Sequence, residues 1–63
     1  MTQKELAYIE DGIGHEQNII KLINISLPNI SDKNIILFMK KELKIHKNIL
    51  KNFQTILEVK SNE

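Results

Sequence analysis

Ser26-Leu27-Pro28-Asn29-Ile30-Ser31 is the one stretch of this 63-residue chain with turn chemistry, and its reading decides the fold. Pro28 lacks an N–H and disfavours the α region for the residue before it. It therefore predicts that Leu27 leaves the α region and that a helix ends near Ile25 or Ser26. Ser31 or Asp32 then offers a side-chain oxygen to cap a second helix. At the other end, Thr2-Gln3-Lys4-Glu5 has the spacing of a capping box, in which hydroxyl and carboxylate each satisfy the other residue's amide. The expectation is a helix over about residues 3–25, a turn over 26–31, a helix over about 32–59 and a frayed tail over 60–63. A short connection makes two helices antiparallel neighbours. The fold class is all-α, an antiparallel two-helix hairpin forming one domain over 1–63. Gly12 and Gly14 fall inside the first helix, where each costs about 1 kcal/mol relative to Ala, and they predict a kink.

Length and composition narrow what such a hairpin can be. Small chains usually need disulfides, a metal or a partner for stability, and with no Cys the first is excluded along with thiolate metal sites. The formal charge is +1, so no bulk field draws the chain to nucleic acid. The charges are nevertheless segregated. Residues 1–25 hold two Lys against Glu5, Glu10, Asp11 and Glu16, whereas residues 33–60 hold seven Lys against Glu42 and Glu58. Lys4, Glu5, Glu10 and Asp11 interrupt any apolar leader, and the uncharged run from 22 to 31 is about half of a membrane span. The expected location is cytoplasmic, with neither membrane nor nucleic acid as a partner.

Both helices carry one wide apolar face when residues are set about 100° apart. On the first, Leu6, Ile9, Ile13, Ile20 and Ile23 form the central stripe, with Tyr8, Ile19 and Leu22 on its flank. On the second, Ile35, Ile36, Met39, Leu43, Leu50, Phe53 and Leu57 do so, extended by Phe38, Ile45, Ile49 and Ile56. A lone hairpin covers only one side of each helix. Two hairpins packed as a homodimeric four-helix bundle would cover the rest.

Three polar residues interrupt these faces. Glu16 lies in the middle of the first stripe, and Glu42 and His46 lie one turn apart within the second arc. With the turn near Asn29, hairpin geometry brings them to about one level of the bundle. Carboxylates and imidazole suit Fe, Mn or Zn, and one Glu facing a Glu/His pair is the ligand inventory of a ferritin-like centre. The usual pair is Glu-x-x-His; Glu42-Leu43-Lys44-Ile45-His46 is one residue longer. The alternative is a buried Glu–His hydrogen-bond network that fixes register and oligomeric state. His15 reads as a rim residue, and Gly12, one turn before Glu16, as a place for close helix approach.

Other signals carry little. Lys33, Lys40, Lys44, Lys47 and Lys51 line the outer side of the second helix as a solvated face. There is no Cys nucleophile and no Gly-x-Ser-x-Gly elbow, and Gly12-Ile13-Gly14 lacks the third glycine of a dinucleotide loop, so no enzyme is expected.

Glu5-Leu6-Ala7-Tyr8-Ile9-Glu10-Asp11 followed by His15-Glu16-Gln17 resembles short clostridial spore coat proteins of the coat-F type. The stretch from Glu42 to His46 is similar to their second helix, although Lys47, Asn48 and Ile49 follow where that family often has a further His or aromatic residue. The resemblance implies a ferritin-like half-bundle with a structural role in the spore coat, and other coat or sporulation proteins as partners. A second group of sporulation hairpins, phosphatases of a response regulator, shares only Glu42-Leu43 of its Ser-Gln-Glu-Leu-Asp signature. A regulatory module offering a helix face to another protein remains the further alternative.

Overall fold

The computed structural model describes residues 1–61. They form two α-helices, α1 (Gln3–Ser26) and α2 (Lys33–Ser61), joined through a 3-10 turn at Leu27–Asn29, and among the described residues there is no strand. The all-α hairpin is thus observed. It is a rod with principal extents of 47 × 14 × 12 Å, a single layer of two helices.

Local chemistry sets the helix ends. The Glu5 amide donates to Thr2 Oγ1 at 3.1 Å, and the Thr2 amide donates to Glu5 Oε1 at 3.0 Å, which completes the capping box. Of the two capping candidates before α2, Asp32 takes the role: its Oδ1 accepts from the amides of Asn34 at 2.8 Å and Ile35 at 3.1 Å. The turn departs from expectation. Leu27 stays in the α region (φ −50°, ψ −46°), and its amide still donates to the Ile23 carbonyl. Pro28 occupies an early position of the 3-10 turn, where a fixed φ and a missing donor are tolerated. The chain therefore tightens first and becomes extended only at Ile30 (φ −109°, ψ 129°). Asn29 Nδ2 donates to the Ile25 carbonyl at 3.3 Å, satisfying one acceptor that the helix end leaves open.

α1 is continuous through both glycines, and neither has positive φ. At the C-terminus, α2 continues through Lys60 and Ser61 rather than ending at about 59, while residues 62–63 of the expected tail lie outside the described residues.

The contact between the helices has a strict register. Every residue of the series Leu6, Ile9, Ile13, Glu16, Ile20, Ile23, Leu27 and Ile30 is half-buried or buried. So is every residue of Ile36, Met39, Leu43, His46, Leu50, Phe53 and Leu57. Steps alternating between three and four residues define a coiled-coil seam. Ile35, placed on the central stripe by the wheel, falls one position outside this seam and is 48 % exposed. Among the described residues no apolar side chain is fully buried, and Tyr8, Leu22, Phe38 and Ile56 are exposed among others.

Candidate functional site

Among the described residues, the one that is buried is polar. Glu16 is 7 % exposed, in a seam otherwise occupied by Leu and Ile. A carboxylate taken from water needs a compensating partner, and α2 supplies it. His46, the seam residue opposite, places Nδ1 against Glu16 Oε2 in a hydrogen bond and ion-pair contact. Its other nitrogen, Nε2, lies 3.5 Å from Oε2 of Glu42, one turn back on the same helix. All three residues singled out from the sequence therefore meet, with the imidazole between the two carboxylates. Among the described residues, no buried side-chain nitrogen or oxygen lacks a hydrogen-bond partner.

The arrangement has a definite chemical sense. An ionised carboxylate only accepts, and a neutral imidazole has one donor and one acceptor. With carboxylates at both nitrogens, a neutral ring satisfies one side only. An imidazolium carries a donor on each nitrogen: Nδ1 is hydrogen-bonded to Glu16, and Nε2 faces Glu42 at ion-pair distance, 3.5 Å.

For a metal the same geometry is less favourable. The two ring nitrogens point in divergent directions, each toward its own carboxylate. An ion bound at either nitrogen has one Glu of this chain at hand. Among the described residues, no group of three or more His, Cys, Asp or Glu is arranged to hold an ion. His15, read as a rim residue, is exposed and takes no part in the hydrogen bond and ion pairs of this cluster.

One feature next to the cluster was only partly foreseen. Gly12, one turn before Glu16, lies under the ring of Phe53. A β-carbon there would sit 2.8 Å from Phe53 Cζ. Gly14 has open space around the same position. The glycine on the apolar face signalled close approach, but nothing local to Gly12 named Phe53; that pairing follows from hairpin register.

No family model, no curated protein and no solved structure matches this chain. No helix among the described residues is long and apolar enough to cross a membrane.

Proposed function

We propose that the chain is a non-enzymatic structural protein whose hairpins pair into a homodimeric four-helix bundle. The observation that carries this reading is surface. A compact monomer of this mass, 7.3 kDa, exposes about 4,200 Å², whereas the hairpin exposes 5,090 Å². The excess is close to the roughly 800 Å² that each partner contributes to a standard interface. Among the described residues no apolar side chain is buried in the single chain, so it has one layer where stable domains have two. Within this reading Glu16, His46 and Glu42 form a polar layer that fixes register, the best-attested role of paired polar groups in a helical core. The resemblance to coat-F type proteins favours a place in the spore coat among other coat or sporulation proteins.

Sedimentation equilibrium tests the reading: a dimer at micromolar concentration is expected, and a stable folded monomer overturns it. A ferritin-like dimer binding Fe, Mn or Zn through Glu16, Glu42 and His46 is the second reading. It is favoured by the meeting of these three side chains and requires His46 to turn away from one carboxylate. Stoichiometric binding of Fe(II), Mn(II) or Zn(II) that His46→Ala abolishes would establish it. Retention of a single equimolar partner from sporulating cells by a monomeric hairpin would instead favour the regulatory-module reading.

A further inference from the structure

The face that a second copy covers follows from a second seam. One position before each seam residue of α2 lies the series Ile35, Phe38, Glu42, Ile45, Ile49, Asn52 and Ile56, spaced by the same alternation of three and four. Five of the seven are apolar, and Phe38 (63 %), Ile45 (39 %) and Ile56 (45 %) are exposed. The corresponding series on α1 is Glu5, Tyr8, Gly12, His15, Ile19, Leu22 and Ser26, with Tyr8 and Leu22 exposed. Residues one position before a seam are rotated about 100° from it. Because both helices are right-handed and run in opposite directions, that rotation carries both series to the same side of the hairpin. The opposite side holds Glu10, Gln17 and Lys21 of α1 with Lys40, Lys47 and Gln54 of α2, all exposed. The hairpin is thus amphipathic as a whole.

We propose that this second seam is the interface with another copy of the chain. This deepens the self-association reading and rests on it. Two symmetric arrangements bury this face. With turns at opposite ends, α2 packs on α2 and α1 on α1. With turns at the same end, α1 packs on α2 of the partner. Levels along the rod are then shared between copies. Gly12 is level with Phe53 and Glu16 with His46, so Ile19 lies across from Ile45 of the second copy.

The chain has no Cys, which makes single-cysteine variants clean probes. Under mild oxidation a disulfide-linked dimer is expected from Ile19→Cys mixed with Ile45→Cys if the turns lie at the same end, or from Ile45→Cys or Ile49→Cys alone if they lie at opposite ends, and either link supports this face. A sedimenting dimer with no link in any sample overturns the choice of face. A folded monomer removes the underlying reading itself. Phe38→Lys and Leu37→Lys guard against failure to fold, since both residues are exposed in the single hairpin, at 63 % and 67 %. Phe38→Lys should weaken dimerisation at least tenfold with helicity retained, and Leu37→Lys, on the outer face, should leave it unchanged. The reverse order overturns the proposal.

Discussion

Two adjacent turns of the hairpin solve the same packing problem in opposite ways. At one, Gly12 offers no side chain and Phe53 fills the space, its ring tip where a β-carbon would be, 2.8 Å away. At the next, two long polar side chains, Glu16 and His46, meet head to head. The first level joins the helices by shape and the second by charge-assisted hydrogen bonding. Shape tolerates some adjustment, because a ring can tilt. A buried carboxylate cannot adjust in that way: it has a partner or it pays desolvation. The polar level should therefore be the more sensitive of the two to loss of one member.

The sharpest way to break this comparison is to remove His46 alone. His46→Leu leaves Glu16 buried without its partner and should destabilise by about 2–3 kcal/mol, read as the urea midpoint at fixed protomer concentration because association contributes to stability. Glu16→Leu combined with His46→Leu should recover most of that loss, since exchanging both members of a buried polar pair for apolar residues is often neutral or stabilising. A double variant as unstable as His46→Leu would show that the cluster supports the fold through something other than mutual satisfaction.

The shape level is probed by its two glycines. Gly14→Ala meets nothing within 4 Å and should stabilise by about 1 kcal/mol through helix propensity. Gly12→Ala gains the same propensity but displaces the Phe53 ring, and should fall short of Gly14→Ala by about 1–2 kcal/mol, the scale of mild overpacking. A double-mutant cycle with Phe53→Leu should assign that shortfall to the contact. Equal effects at the two glycines would mean that the ring yields freely.

How much of this was legible beforehand follows from the range over which each feature is decided. Caps are decided within three residues, so Thr2-Gln3-Lys4-Glu5 was readable as it stands; at Ser31-Asp32 only the choice between two adjacent oxygens was open. The meeting of Glu16, Glu42 and His46 needs only helical period and hairpin register, and both were available. The backbone of Leu27 was misjudged because the rule for residues before proline competes with a 3-10 turn, where Pro28 needs no donor. Ile35 was misplaced because a wheel resolves an arc and not a seam: positions 35 and 36 both lie in the apolar arc, and only contact with α1 selects Ile36. Which ring nitrogen of His46 meets which carboxylate was not readable either, since it depends on side-chain geometry and not on register.

The smallest effect separates the acid response of a helix end from that of the paired levels. Glu5 is exposed, and its carboxyl is held below the ordinary Glu value first by the donated Thr2 amide and then by the Thr2 hydroxyl. A carboxyl whose value is lowered in the folded state contributes stability that is fully present above its unfolded value and is lost as pH falls through its folded value. The stability of the native chain should thus decline below about pH 4, and Thr2→Ala, which removes the hydroxyl acceptor and weakens the box, should make that part of the decline shallower. The checking measurement is thermal stability of both chains from pH 6 downward at constant salt and protomer concentration. Parallel curves would mean that the capping box contributes nothing to the acid response, and a decline common to both chains would then originate elsewhere in the hairpin.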